Sequence, residues 1–249
     1  MSEYKSIHGF KVRDYTTDPD NLITGQVWYD KTNKVLQYQA AGAGAWASGG
    51  SMNQARQQFG GAGDQDDALV FGGEFSGTAS SDLTELYNGI SWTEVNDLNT
   101  ARNNLDGTGA SSTAVVATSG GGAADTELWN GTSWTEVNNL NSGRNGVVVS
   151  GIATSALATG GDSNSALNES WNGTSWTEVA DLNTGRQNPG SGGVSNTSAI
   201  VFGGFSPDAT AVTETWNGTA WTEVNNLNTA RAVLGGAGTV SNALAFGGD

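Results

Sequence analysis

TELWNGTSWTEVNNLNSGR, residues 126–144, recurs with few changes at three other places in the chain. The copies occupy residues 84–102, 168–186 and 213–231. Each has a tryptophan followed ten residues later by an arginine, and Trp46 with Arg56 repeats this spacing once more. The successive tryptophans lie 46, 42, 42 and 45 residues apart. This period is typical of four-stranded propeller blades, whereas many helical repeats are about 34 residues long.

An Asn-Gly dipeptide lies inside each of these four copies. Asn-Gly between alternating apolar and polar residues is the strongest short signal for a β-hairpin, and a type I′ turn needs positive φ at both residues. We therefore expect four hairpins with type I′ turns. Their turn residues are Asn88-Gly89, Asn130-Gly131, Asn172-Gly173 and Asn217-Gly218.

Glycine-rich stretches between the hairpins supply two further strands in each repeat. Such a stretch, for example residues 232–248, leads through small residues into an apolar strand that ends in a glycine pair. The pairs are Gly72-Gly73, Gly121-Gly122, Gly160-Gly161, Gly203-Gly204 and Gly247-Gly248. Small residues are expected near a propeller axis, because the inner strands converge there. Four strands in each of five repeats predict an all-β, five-bladed β-propeller.

The last repeat lacks its two outer strands, because the sequence ends just after the fifth glycine pair. Residues 34–39 and 45–50 carry a tyrosine and a tryptophan in the corresponding positions. We expect these N-terminal strands to complete the C-terminal blade and close the ring, which would remove its exposed edges. A second arrangement stays open, since residues 25–38 also read as a hairpin of their own.

Charge is distributed unevenly along the 249 residues. Residues 1–34 carry five basic and five acidic side chains, whereas the remainder carries 20 acidic side chains and only the five repeat arginines as positive charges. The net charge of −15 predicts repulsion from nucleic acid and anionic membrane surfaces. The chain has no cysteine, which excludes disulfides and thiolate chemistry, and we expect no cofactor and no membrane insertion.

The order of a glycine pair, an aromatic residue, a tryptophan and an arginine resembles the kelch repeat over roughly residues 34–249. The opening IHGFKVRDYTTDPDNLITGQVWYDKTNKVLQY, followed by Gly/Ala/Thr-rich repeats, also resembles virion structural proteins of tailed, particularly marine, bacteriophages. The resemblance implies a propeller at residues 31–249 that faces outward from the virion. It also implies an N-terminal arm, residues 1–30, that binds other virion proteins.

The arm combines basic and aromatic side chains, which suit a polar and aromatic interface with the particle. The candidate attachment residues are Tyr4, Lys5, Phe10, Lys11 and Arg13.

Two sets of repeated glutamates raise the question of glycoside hydrolysis, which uses a pair of carboxyl groups. The sets are Glu85, Glu127, Glu169 and Glu214, and Glu94, Glu136, Glu178 and Glu223. A catalytic pair needs two different environments, whereas these glutamates have nearly identical surroundings. We therefore expect structural ion pairs or hydrogen bonds with the repeat arginines and no catalytic residues.

A dense acidic cluster, Asp64, Asp66 and Asp67, is a weak candidate for Ca²⁺, since hard oxygen ligands at such spacing suit that ion. The glycine and terminal glutamate of an EF-hand loop are missing, so a solvated loop is the preferred interpretation and no metal site is predicted.

Binding residues are expected where the repeats differ, because recognition usually resides in loops held by a rigid scaffold. The most variable segments follow the glycine pairs. The candidate ligand-binding residues there are Phe75, Ser76, Asp162, Phe205 and Asp208. The repeat tryptophans are instead expected to pack between blades, because a large aromatic side chain buries much area there.

These observations favour a non-enzymatic virion structural protein, either a tail fibre or appendage or a capsid decoration protein, that binds a host-surface glycan or protein. A glycan-active depolymerase and a kelch-type protein-binding scaffold are the alternatives. Homo-oligomer formation, including exchange of the closing strands between chains, is left open.

Overall fold

The computed structural model describes residues 13–15, 27–32, 34–38, 49–75 and 79–249. The chain divides into two compact units, Met1–Ser48 and Gly49–Asp249. Regular structure in the described residues is β-strand, apart from one 3-10 turn at Asp162–Asn164. No helix within these residues is long and apolar enough to span a membrane.

The first unit contains a three-stranded sheet of β1 (Arg13–Tyr15), β2 (Val27–Asp30) and β3 (Val35–Tyr38). Strand β1 is parallel to β2, and β2 is antiparallel to β3. The described partner of β3 is thus β2, as in the hairpin arrangement that the sequence left open. Of the second expected closing strand, residues 45–50, only Gly49 and Gly50 are described. Closure by these strands stays a prediction.

The second unit contains four antiparallel sheets of four strands, here called the complete sheets, and a two-stranded C-terminal sheet. The first complete sheet comprises β4 (Gly60–Gly63), β5 (Ala68–Phe71), β6 (Thr84–Tyr87) and β7 (Trp92–Val95). The second comprises β8 (Asp106–Ser111), β9 (Ala114–Thr118), β10 (Thr126–Trp129) and β11 (Trp134–Glu136).

The third complete sheet comprises β12 (Val148–Ile152), β13 (Ser155–Thr159), β14 (Asn168–Trp171) and β15 (Trp176–Glu178). The fourth comprises β16 (Gly190–Ser195), β17 (Ser198–Phe202), β18 (Thr213–Trp216) and β19 (Trp221–Val224). The C-terminal sheet pairs β20 (Leu234–Thr239) with β21 (Asn242–Gly247). The all-β class and the four-stranded repeat are therefore confirmed, and the architecture is propeller-like.

The first strands of the five sheets, β4, β8, β12, β16 and β20, line a single cavity of about 890 Å³. Glycine lets these strands approach one another closely, as predicted for inner strands. A Cβ atom added at Gly236 would lie 2.2 Å from the backbone oxygen of Ser191. Strand β12 departs from this pattern at Val149, where the other first strands have glycine or serine.

The repeat tryptophans pack between neighbouring sheets, as expected. Trp134 lies 5.0 Å from Phe71 of the preceding sheet in an edge-to-face arrangement, and its Nε1 donates to Thr84 Oγ1 at 3.0 Å. Trp176 donates in the same way to Thr126 Oγ1. The indoles of Trp134 and Trp176 thus donate across a sheet boundary and hold consecutive sheets together, whereas the buried Nε1 of Trp221 has no hydrogen-bond partner in the described chain.

Every complete sheet contains a buried ion pair between the arginine before its first strand and a glutamate of its third strand. The pairs are Arg56–Glu85, Arg102–Glu127, Arg144–Glu169 and Arg186–Glu214. Desolvation lowers the pKa of the last three arginines, and the paired glutamate opposes this shift. The expectation of structural pairs is confirmed for this first glutamate set.

The same expectation is wrong for the second glutamate set. Glu94, Glu136, Glu178 and Glu223 are exposed, and none forms an ion pair with an arginine in the described part of the chain. Each lies on the fourth strand, opposite a glutamate of the first set on the third strand. The arginine approaches from the loops and already forms its ion pair with that first glutamate.

The Asn-Gly hairpins are confirmed, but their turns are not type I′. In the second sheet the loop spans four residues, 130–133, and only Gly131 has positive φ, at 90°. Asn130 Oδ1 instead accepts the N–H groups of Thr132 and Ser133, each at 2.9 Å. The side chain therefore stabilises the turn by local hydrogen bonds, which removes the need for positive φ at asparagine.

One predicted glycine pair is displaced by two residues. The positions equivalent to Gly72-Gly73 in the second sheet are Ser119-Gly120, with φ of 70° and 94° against 66° and 94°. Ser119 O accepts from Arg102 at 3.0 Å, as Gly72 O accepts from Arg56. The run Ser119 to Gly122 contains three glycines, so composition alone could not set the register.

Candidate functional site

The candidate site lies at one end of the sheets, here called the loop end, where the second strand of each sheet leads into the third. Antiparallel pairing of β5 with β6 brings the described parts of the first variable loop, residues 72–75 and 79–83, to this end. The repeat arginines and the start of each first strand lie there too. Non-repeated loops and the mouth of the cavity are therefore adjacent.

A belt of backbone hydrogen bonds joins consecutive repeats at the cavity mouth. The N–H of Asn104 donates to Gln58 O at 2.9 Å, and that of Gly146 donates to Asn104 O at 3.3 Å. Asn188 N–H then donates to Gly146 O at 2.8 Å, and Val233 N–H to Asn188 O at 3.0 Å. All five residues have positive φ. Between the two described ends of this belt, Val233 and Gln58, no such bond is formed.

Amide side chains surround this belt. In three of the five repeats both positions after the repeat arginine carry an amide, and in the repeat of Arg144 only the first does. We call the group the amide collar: Gln57, Gln58, Asn103, Asn104, Asn145, Gln187 and Asn188. Four of its members, Gln57, Gln58, Asn104 and Asn188, line the cavity.

The collar is held in part by an acidic side chain of the first variable loop. Glu74 accepts from Gln57 Nε2 and from Asn103 Nδ2, both at 2.7 Å. Asn103 Nδ2 also lies 3.1 Å from Gln58 Oε1. In the third repeat Asn145 N–H donates to Asp162 Oδ2 at 2.7 Å. The collar thus presents amide groups in positions set by neighbouring loops.

The predicted binding residues lie at the loop end but on different repeats. Phe75 and Phe205 are half-buried, whereas Asp162 and Asp208 are exposed. None of these four lines the cavity. The loops of the two phenylalanines are tied to the residues after the arginines, through bridges from Gln57 to Glu74 and from Gln187 to Phe205. Ser76 lies outside the described residues.

Of the five predicted attachment residues of the arm, only one lies on a strand with a described backbone. Tyr4, Lys5, Phe10 and Lys11 lie outside the described residues, and only the backbone of Arg13 is described, in β1.

Asp106 is the one ionisable residue that lines the cavity within the described chain. Its Oδ2 accepts the N–H of Val149 on the neighbouring first strand at 2.7 Å. Desolvation raises the pKa of this carboxyl to about 7, although the hydrogen bonds from Val149 and Gly107 oppose the shift. Glycoside hydrolysis uses two carboxyl groups. Among the described residues, the cavity wall supplies only the carboxyl group of Asp106. Its hydrogen bond with the Val149 N–H links two neighbouring sheets.

The acidic cluster lies at the opposite end of the first sheet, in the turn between β4 and β5. Asp64 Oδ1 accepts the N–H of Asp66 at 3.0 Å. The Asp67 carboxylate accepts from the hydroxyl of Ser112 in the next repeat. No group of three or more potential ligand residues in the described chain could hold a metal ion. The cluster shapes a turn and links two repeats.

Sequence reasoning did not single out the amide collar. Its signal is the Arg-Gln/Asn-Gln/Asn/Gly sequence that follows the repeat spacing at Arg56, Arg102, Arg144 and Arg186. These residues vary little between repeats, whereas the search for binding residues favoured segments that differ. The second position has positive φ in these repeats, and the amides that it carries, Gln58, Asn104 and Asn188, line the cavity.

Comparison of the chain with protein-family models found no match, and neither did a search of curated proteins.

Proposed function

We propose that this chain is a non-enzymatic adhesion protein, with a five-bladed kelch-like propeller whose loop end binds a neutral polar ligand such as a surface glycan. The observation that carries the proposal is the amide collar at the cavity mouth. Amide groups offer both donors and acceptors, which match the hydroxyl groups of a sugar. A concave site with a few placed polar groups is the usual form of a ligand site.

Five blades are supported by the five first strands around one cavity and by the four bonds of the belt. A closed ring would add a fifth bond, from Gln58 N–H to Val233 O. Strands added to β21 would complete the last blade, as expected of residues 34–39 and 45–50.

The placement on a bacteriophage particle, as tail fibre, appendage or decoration protein, rests on the resemblance of the N-terminal segment. In this proposal residues 1–30 bind other virion proteins. The acidic body carries the ligand site outward, and its charge disfavours contact with nucleic acid.

A glycan array probed with the full chain tests the ligand class. Asn103→Ala and Gln57→Ala should each weaken binding to any glycan found by about tenfold, since hydrogen bonds to the ligand are lost. Gln65→Ala, an exposed amide at the opposite end, is the matched control and should bind as the parent does. Absence of glycan binding, or equal loss in all three variants, would refute the proposed site.

Cryo-electron microscopy of purified particles tests the location separately. We expect density for residues 1–30 against a capsid or tail protein, with the sheets outward. A chain absent from particles and free in the lysate would contradict the virion assignment.

A further inference from the structure

Five Asn-Gly dipeptides occur in the chain, and the fold places them in two different settings. One of them, Asn145-Gly146, lies in the belt at the cavity mouth. The other four form the turns between the third and fourth strands, at the end of the sheets opposite the loop end. Glycine has no Cβ atom, so its nitrogen is readily approached by the preceding side-chain amide. The turn dipeptides begin at Asn88, Asn130, Asn172 and Asn217.

The turn asparagines hold their side-chain amide near the following peptide nitrogen. Asn130 Oδ1 accepts the N–H groups of Thr132 and Ser133, both at 2.9 Å. The ring closed by the first of these bonds contains both Asn130 Cγ and Gly131 N, so the carbon and the nitrogen stay within one small loop. The other three turns repeat the two bonds at 2.9 to 3.0 Å.

The glycine nitrogen of each turn is available for reaction. The N–H of Gly131 makes no hydrogen bond within the described chain, and neither do those of Gly89, Gly173 and Gly218. The four asparagines are exposed, so water and hydroxide reach them. The two N–H groups on Oδ1 would stabilise negative charge on this oxygen when the carbon is attacked, as the donors of an oxyanion hole do.

The belt dipeptide has the opposite arrangement. Gly146 is buried, and its N–H donates to Asn104 O at 3.3 Å. Asn145 Oδ1 accepts from Gly122 N–H at 2.7 Å, which fixes the amide to a segment 23 residues away. The N–H of Asn145 is bound as well, to Asp162 Oδ2 at 2.7 Å. The nitrogen is therefore occupied, and the residues on both sides of the reacting bond are immobilised.

We propose that the four turn asparagines are sites of spontaneous deamidation and that the belt protects Asn145. In this reaction Gly131 N loses its proton and bonds to Asn130 Cγ. The Cγ–Nδ2 bond breaks, and Nδ2 takes up a proton and leaves as ammonia. Water then opens the cyclic succinimide at either carbonyl, which leaves aspartate or isoaspartate and a new negative charge in the turn.

Isoaspartate would change contacts between sheets as well as charge, because it routes the main chain through the former side chain. Thr132 O accepts from Asn96 Nδ2 at 2.8 Å, and Thr174 O accepts from Asn138 Nδ2 at 3.0 Å. Asn96 follows the first complete sheet and Asn138 the second. These turns therefore join neighbouring sheets, and their modification is expected to loosen the boundary.

Peptide mapping by mass spectrometry of the full chain, incubated at mildly alkaline pH, tests the proposal. We expect the four turn asparagines to deamidate at least about tenfold faster than Asn145, since the hydrogen bonds of the belt must break before its nitrogen can attack. Comparable rates at all five sites of the folded chain would overturn the proposal. In concentrated urea, where these bonds are lost, the five sites should react at similar rates. A slow Asn145 there would mean that sequence, and not the fold, protects it.

Asn130→Gln identifies the reacting atoms, because the longer side chain closes a less favourable ring. The variant should lose the reaction at this turn and keep it at Asn172. Persistence of the reaction at position 130 would contradict attack by Gly131 N. None of these outcomes depends on glycan binding, which is measured at the loop end and can fail independently.

Discussion

The complete sheets and the C-terminal sheet carry the same sequence motif before their first strand but differ in how it is buried. Arg102 is 1% exposed and paired with Glu127, whereas Arg231 is half-buried and has no acidic partner in the described chain. Leu157 is fully buried, whereas the equivalent Leu244 of β21 is 55% exposed. The environment of a repeat residue is therefore set by neighbouring strands, and the local sequence does not supply it.

This difference identifies where the stability of the second unit resides. In repeat architectures stability is approximately a sum of repeat and nearest-neighbour terms. The buried guanidiniums lose hydration and are compensated by a glutamate of the third strand and by carbonyl groups of the loop before it, such as Ser119 O and Asp125 O for Arg102. Matched substitutions in complete and incomplete sheets should therefore have very different costs.

The largest contrast is expected between Arg102→Met and Arg231→Met. Removing Arg102 leaves Glu127 buried without its partner, which should cost about 3–5 kcal/mol. Removing Arg231 breaks no ion pair within the described residues and should cost less than about 1 kcal/mol. Urea unfolding of both variants at pH 7 measures the difference. Equal losses would mean that the C-terminal arginine is paired in solution.

Leu157→Ala and Leu244→Ala extend the contrast to apolar packing. A cavity at the fully buried position should cost about 2–5 kcal/mol. Truncation at the exposed position should change the free energy of unfolding by less than about 0.5 kcal/mol. Thermal unfolding gives both values. A large cost at Leu244 would indicate that another segment covers β21.

Asp106 distinguishes one boundary between complete sheets from the others, through its bond to Val149. Its pKa is raised to about 7 in the fold, so the folded state holds the proton more tightly than the unfolded state. Stability from this group is then greatest below about pH 4 and declines as pH rises to 7.

Asp106→Asn should remove this pH dependence and stabilise the protein at pH 8 by about 2 kcal/mol. The check is the difference in unfolding free energy between parent and variant at pH 5 and pH 8. A difference that does not change with pH would show that this carboxyl is not the titrating group.

The smallest effect is expected for Glu136→Gln. This glutamate is exposed and makes no ion pair with an arginine in the described chain, so the change should stay within about 0.5 kcal/mol. Its neighbour across the strands, Glu127, is the matched position, and Glu127→Gln should be severely destabilising. Similar losses for the two variants would contradict the assignment of separate roles.

Much of the fold was accessible from the sequence because the signals are local. The Trp-to-Arg spacing predicted the repeat, and the Asn-Gly pairs predicted the hairpins between β6 and β7 and their equivalents. The turn type was not accessible in this way, since a side-chain bond from Asn130 competes with the backbone preference for type I′. The displaced glycine pair near Ser119 shows the same ambiguity in a glycine run.

The candidate site was less accessible, because it depends on contacts between residues far apart in sequence. The variable segments after the glycine pairs were expected to hold the binding residues, and antiparallel pairing of β5 with β6 brings the first of these segments to the loop end. The amide collar was missed, because its residues follow the arginines and vary little between repeats, whereas binding residues were expected in segments that differ. Bonds such as Asn103 to Glu74 join positions 29 residues apart.

The number of strands in a repeat, the repeat length and the pairing of repeat arginines with repeated glutamates follow from periodicity and charge, but not which of the two glutamate sets is paired. Both are local properties of a chain in which each unit copies the last. Tertiary structure alone decided which glutamates are buried, where the cavity mouth lies and why Arg231 has no acidic partner among the described residues. These features depend on which strands pair with each other. A buried polar or charged group is compensated by hydrogen bonds from a segment distant in sequence, which the local sequence does not specify.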